Sequence, residues 1–235
     1  MKMISTAKEV LNDLIHLFFP KLCLLCKEPL IRHEELLCLK CLYDLPRTNY
    51  AWEEENPVYQ RFIGKAYITH ASSWLHYQKG GKVQQLVHSF KYHDNKEAAY
   101  QSGKLMAMEL GKTGFYKEID LLIPVPLHKK RKRERGYNQS EQLCAGIASV
   151  WNIPVNTTAL QKMTRSSTQT NKTIYARWIN VRQIFTLTDK HLIEGKHILL
   201  VDDVVTSGST LCSCAEVLTG IPQVKISILT LASAT

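Results

Sequence analysis

The chain has 235 residues, 45% of them hydrophobic and 22% charged, a balance that excludes disordered, collagen-like and low-complexity classes and leaves enough apolar mass for a core. The formal net charge of +9 favours anionic partners such as phosphates, nucleotides or nucleic acid, with a plain basic surface as the bland alternative. No apolar run reaches the roughly 18 residues of a membrane span.

Residues 1–20 place Leu11, Leu14, Ile15, Phe18 and Phe19 on one helical face, and Pro20 ends it. This amphipathic helix either packs on its own protein or docks a partner. Glu9 and Asp13 stand where a signal peptide needs an uncharged stretch. The expected location is therefore cytoplasmic, where cysteines serve as metal ligands or free thiols rather than in disulfides.

Residues 21–45 hold Cys23-Leu-Leu-Cys26 and Cys38-Leu-Lys-Cys41. A two-residue gap lets both sulfurs of a pair face one ion, and two pairs complete a tetrahedral thiolate shell. Such a closed shell makes the ion structural, stabilising a segment too short to build its own core. The expected ion is Zn²⁺. The alternatives are four reduced structural thiols, or a redox role for one pair. Cys144, Cys212 and Cys214 lack this spacing and read as packed thiols. Pro46 to Pro57, with Glu53, Glu54 and Glu55, reads as a solvated linker.

Residues 60–235 alternate strand and helix signals. Strands are expected at 66–77, 121–126, 198–201 and 223–231, and helices at 82–92, 96–110, 140–150 and 210–218. That alternation implies a mostly parallel sheet covered on both faces. Lys129, Lys130, Arg131, Lys132, Arg133 and Arg135 against Glu134 give a net +5. These side chains suit a pyrophosphate or nucleic-acid phosphates, or else a solvated loop. His128, Tyr137 and Asn138 are placed to stack on or hydrogen-bond to bases.

The most informative stretch runs from His197 to Thr210. An apolar strand ends in Asp202 and Asp203, and Thr206, Ser207, Gly208, Ser209 and Thr210 then lead into a helix. A helix N-terminus offers free N–H groups and partial positive charge to a phosphate. Glycine allows close backbone approach, and the hydroxyls add donors. The two carboxylates can accept hydrogen bonds from a sugar diol or help hold a divalent cation. Together these describe a ribose 5-phosphate site at the carboxyl edge of a sheet; the alternative is a helix start beside two solvated acids. Gly111-Lys112-Thr113 ends like a P-loop, but the first glycine of that motif is replaced by Met106.

Val201-Asp-Asp-Val-Val-Thr-Ser-Gly-Ser-Thr210 resembles the phosphoribosyl pyrophosphate (PRPP) motif of type I phosphoribosyltransferases. Ile123-Pro-Val-Pro126 resembles the start of their pyrophosphate loop. Arg135-Gly-Tyr-Asn-Gln139, Thr164-Arg165, Gln169, Arg177, Asn180 and the cysteine-rich head resemble the ComF family of competence-associated proteins. The resemblance implies a type I phosphoribosyltransferase-like α/β fold with a small zinc-ribbon-like N-terminal unit. It implies that Asp202 and Asp203 bind ribose, and that Thr206 to Thr210 bind the 5′-phosphate of PRPP or a nucleotide, with Mg²⁺ accompanying PRPP. Lys129, Arg131, Arg133, Arg135, Tyr137 and Asn138 are expected to contact pyrophosphate or nucleic acid. Arg165, Lys172 and Arg177 are expected on a mobile loop that closes over the ligand. Family members are linked to DNA uptake with a competence helicase, and single-stranded DNA is an expected partner. The alternative is an active transferase releasing pyrophosphate to an unidentified nitrogenous acceptor; no residue reads as its catalytic base, and no glutaminase half is expected.

Overall fold

The computed structural model describes residues 19–50, 53, 55–92, 95–163 and 185–234. The expected amphipathic helix lies outside these residues except for its end, as do Arg165, Lys172 and Arg177 and the loop expected to carry them. Internal contacts divide the chain into two units, Met1–Leu45 and Pro46–Thr235.

In the first unit the chain turns back at Lys27, whose φ is 65°. Amides close this turn, Cys23 to Glu28 O and Lys27 to Cys23 O, and Leu22 and Pro29 bridge antiparallel. The short helix α1 (Leu39–Tyr43) starts at Cys38, whose sulfur accepts the Cys41 amide. Turn and helix start thus each carry one cysteine pair.

The second unit opens with α2 (Pro57–Gln60), capped by Asn56. The Asn56 side chain is buried and also donates to Ala71 O at 2.7 Å, tying this segment to the first strand. Then follow β1 (His70–Tyr77), α3 (Lys82–Tyr92), α4 (Lys96–Leu110), β2 (Leu121–Pro124), α5 (Lys129–Arg135) and α6 (Gln139–Trp151). After them come β3 (Leu160–Lys162), β4 (Phe185–Leu187), β5 (His197–Val205), α7 (Ser209–Leu218) and β6 (Lys225–Ala234). Strands pair in the order β1-β6-β5-β2, all parallel. The antiparallel pair β3–β4, which the sequence reading lacked, stands apart.

The sheet is buried on both faces, so its strands read as continuous apolar runs rather than alternating ones. Leu121, Ile123, Ile198, Leu200, Ile226 and Ile228 share one core with Leu211, Cys214, Ala215 and Leu218 of α7. The alternate residues Leu122, Leu199, Val201 and Leu229 are buried too. Period-two alternation sends them to the opposite face, and α6 packs on β2 and β5. Helices α4 and α6 pack so closely that a Cβ at Gly103 or Gly146 would overlap backbone of the facing helix. With all strands parallel, every strand ends at one edge, and that edge carries the site.

Candidate functional site

β5 extends four residues beyond its expected end, so Asp202 and Asp203 lie within the strand, Asp202 in register with Thr230 of β6. Asp202 Oδ1 accepts from Ser140 Oγ at 3.0 Å and from the Asp203 amide at 2.9 Å. Asp203 Oδ1 accepts the Val204 amide at 2.7 Å, and its Oδ2 lies 2.9 Å from Lys91 Nζ. Burial and the neighbouring Asp203 carboxylate push the Asp202 carboxyl up to about 7. One acid is thus paired with a cation, and the other is held by neutral donors.

The hydroxyl loop follows directly. Gly208 has φ +78°, a conformation that favours glycine, and a Cβ there would also press on the Phe62 ring at 3.2 Å. Gly208 also caps α7 without a side-chain hydrogen bond; the Ser209 amide donates to Ser207 Oγ at 3.5 Å, which leaves the next amides, those of Thr210 and Leu211, for water or a ligand. Thr206, Ser207, Ser209 and Thr210 are exposed, and the Ser207 and Ser209 hydroxyls are 3.2 Å apart. Asp202, Gly208, Ser209 and Thr210 line one shallow cavity. Arg61 fixes the loop from behind: its guanidinium donates to Val205 O at 3.2 Å, to Thr206 O, and to Ala234 O at 2.5 Å. With these carbonyls engaged by Arg61, the exposed face of the loop is left to hydroxyls and amides.

The basic stretch, for which a solvated loop was the alternative, folds into the short helix α5. Lys129, Lys130, Arg131, Lys132 and Arg133 are exposed. Lys132 pairs with Glu141 at 2.8 Å, and Arg135 donates to Gln139 Oε1 at 3.2 Å. His128 Nδ1 accepts the Lys130 amide and caps the helix. Tyr137 and Asn138 depart from the reading as base contacts, for both are buried. The Tyr137 hydroxyl donates to Phe90 O at 2.6 Å. Asn138 donates to Val125 O at 3.0 Å and caps α6. These two side chains spend their polar atoms bracing α3, β2 and α6 around the acid pair. Chain order supplies the reason: the turn after α5 must bring Ser140 onto Asp202, so the residues before it enter the interior.

Three residues here were missed by the sequence reading. Lys91 left a trace, since it continues the apolar stripe of Val83 and Val87 at helical spacing; a charge there calls for an internal partner. Ser140 and Arg61 left none.

In the N-terminal unit the sulfurs of Cys23, Cys26, Cys38 and Cys41 all lie within 4.8 Å of one another. The Cys38 amide donates to the Cys23 sulfur at 3.4 Å. Burial opposes ionisation of Cys23, but backbone amides of Cys26, Cys38 and Leu25 outweigh it and lower this thiol to about 6. Burial, with the neighbouring thiols, pushes Cys41 up to about 12. Such crowding of sulfurs fits a tetrahedral metal such as zinc, which would hold all four as thiolates. Cys144, Cys212 and Cys214 are buried free thiols. Among the described residues no helix is long and apolar enough to cross a membrane.

Residues 140–234 match the model of the phosphoribosyl transferase domain. The DNA utilization protein YhgH of Shigella flexneri is 27% identical over 221 residues, 85% of this chain and 91% of that protein. Competence protein F of Haemophilus influenzae is 30% identical over 46% of this chain and 48% of its own length. Competence protein ComFC of Bacillus subtilis is 33% identical over 42% of this chain and 38% of its own. Residues 140–234 thus match a phosphoribosyl transferase domain, the N-terminal unit carries a four-cysteine cluster, and proteins of competence and DNA utilization are among the chain's relatives.

Proposed function

We propose that the chain binds PRPP, or a nucleotide carrying the same ribose 5-phosphate, at the end of β5, and acts in DNA uptake. Asp202 and Asp203 accept the ribose hydroxyls, and Thr206, Ser207, Gly208, Ser209 and Thr210 hold the 5′-phosphate. The observation that carries this reading is the uncapped N-terminus of α7 beside the two carboxylates: donors for a phosphate and acceptors for a diol at adjoining positions. Asp203 is already paired with Lys91, so the acids are not a ready cation cage, and Mg²⁺ belongs with the pyrophosphate of PRPP. The exposed cations of α5, Lys129, Arg131 and Arg133, meet that pyrophosphate or single-stranded DNA, with a competence helicase as protein partner. The four-cysteine unit holds Zn²⁺ as a structural ion.

A second reading is transfer of the phosphoribosyl group. The C1–oxygen bond to pyrophosphate breaks, a nitrogenous acceptor forms the new bond, and pyrophosphate leaves. It is favoured by the bond from Arg135 to Gln139, next to the Ser140 that holds Asp202, which brings the basic helix toward the acid pair where leaving-group charge develops.

One experiment separates the two readings. The protein is titrated with PRPP and Mg²⁺, and pyrophosphate release is then assayed against a panel of nitrogenous bases. Binding without release supports the first reading and release supports the second. Absence of binding removes both.

A further inference from the structure

The four clustered cysteines differ in what can reach them. Cys23 and Cys41 are 0% and 4% exposed, whereas Cys26 is exposed and Cys38 partly so. The Cys26 and Cys38 sulfurs stand 3.7 Å apart, near van der Waals contact. They come from different pairs of the motif: Cys26 lies on the turn at Lys27, and Cys38 at the start of α1. Two hydrogen bonds hold turn and helix start together without help from an ion. The Leu24 amide donates to Leu36 O at 3.0 Å, and the Cys38 amide donates to the Cys23 sulfur at 3.4 Å.

The spacing of the motif points to a redox role within one Cys-x-x-Cys pair. In the folded unit each such pair has one buried member, Cys23 in the first and Cys41 in the second. Oxidation by a hydroperoxide follows thiolate character and exposure, and it proceeds to a disulfide where a second thiol stands beside the first. A bound metal holds its cysteine ligands as thiolates. Thiolate character then no longer separates the four sulfurs, and exposure does. Cys26 is the sulfur a hydroperoxide meets first, and Cys38 is beside it.

We propose that Cys26 and Cys38 form a hydroperoxide-reactive pair whose disulfide displaces the structural zinc. The Cys26 sulfur attacks the hydroperoxide, the O–O bond breaks, and the sulfur keeps one oxygen as sulfenic acid while an alcohol leaves. The Cys38 sulfur attacks that sulfur, the S–S bond forms, and the oxygen leaves as water. Two thiolates thus give up two electrons, solvent supplies two protons, and the hydroperoxide ends as alcohol and water. Cys23 and Cys41 alone are too few for a closed tetrahedral shell. The new bond joins the same turn and helix start that the ion joined, and a dithiol reductant with zinc reverses the change. This rests on the zinc reading of the four cysteines given above and not on the sugar-phosphate reading.

The test treats the whole zinc-bearing chain with equimolar hydrogen peroxide. Zinc release is followed with a chromogenic indicator, and disulfides are mapped on tryptic peptides. Residues 22–27 hold Cys23 and Cys26, residues 33–40 hold Cys38, and residues 41–47 hold Cys41. The expected first product links 22–27 to 33–40, with fragmentation placing the bond on Cys26, and about one zinc per chain is released as it forms. Cys144, Cys212 and Cys214, all buried, are expected to stay reduced. Cys26→His keeps a ligand that zinc accepts and is expected to hold its zinc over the time in which wild type loses it. A first disulfide within 22–27 or between 33–40 and 41–47, zinc release without a bond between Cys26 and Cys38, or zinc loss from Cys26→His at the wild-type rate each overturns the proposal and leaves the zinc site standing. Wild type purified without zinc overturns both. Should Cys26→His fail to fold, the wild-type disulfide map decides the matter.

Discussion

At the residue scale, Asp202 and Asp203 are neighbours with different electrostatic lives. Asp203 is neutralised by Lys91 at 2.9 Å. Asp202 has its carboxyl pushed up to about 7 by burial and by Asp203. Its folded value therefore lies above its ordinary value of 3.8. Between those values the folded state holds more protons than the unfolded one. The stability contributed by neutral Asp202 is full below about 4 and is lost as pH rises through about 7. Asp202→Asn should remove this slope, and urea unfolding of both proteins from pH 4 to pH 8 checks it. A stability difference that stays constant across that window would contradict the assignment. Asp203→Ala should abolish PRPP binding while far-UV circular dichroism stays native. Both acids were legible in the sequence because an apolar run ending in two carboxylates has little structural value. Lys91, Ser140 and Arg61 were much less so, because each reaches the site from a distant segment and only the fold brings it there.

At the scale of elements, periodicity located α3 and α4 residue for residue, and it placed α6, α7 and the parallel strands within a few positions. Strand ends were harder to place. β5 runs on through Asp202 and Asp203 because pairing with β6 continues to Val205, and hydrogen bonding along a ladder does not require apolar side chains. The same limit hid the jobs of Tyr137 and Asn138, whose polar groups looked outward in a basic stretch but are satisfied internally. Helix packing yields a prediction of its own. Gly146 lets α6 approach α4 so closely that a methyl group would overlap the backbone at Tyr100. Gly146→Ala should cost about 1–3 kcal/mol through forced backbone shifts, read as a lowered denaturation midpoint. An unchanged midpoint would mean the helices separate freely. Gly208→Val strains both φ and the Phe62 contact; it should weaken ligand binding more than it lowers stability.

At the scale of the whole molecule, the four-cysteine unit and the α/β domain of the second unit depend on different forces. The domain buries apolar residues on both faces of its sheet. The unit of residues 21–45 gathers four sulfurs within 4.8 Å, and a segment of that size leans on a metal to fold. Purified protein should carry about one zinc per chain. Stripping it should speed tryptic cleavage at Lys21, Lys27, Arg32 and Lys40 and leave the cleavage rate at other sites unchanged. An unchanged rate at those four sites after stripping would show that the thiols alone suffice. The paired cysteines were plain in the sequence because ligand spacing is a local property.

The central claim is that a sugar phosphate sits where Asp202 and Asp203 meet the start of α7. A crystal structure of the chain soaked in ribose 5-phosphate tests it most directly. The account predicts the phosphate against the amides and hydroxyls of Ser207 to Thr210, with the sugar hydroxyls on Asp202 and Asp203. A phosphate bound elsewhere, with that loop unchanged, would contradict it.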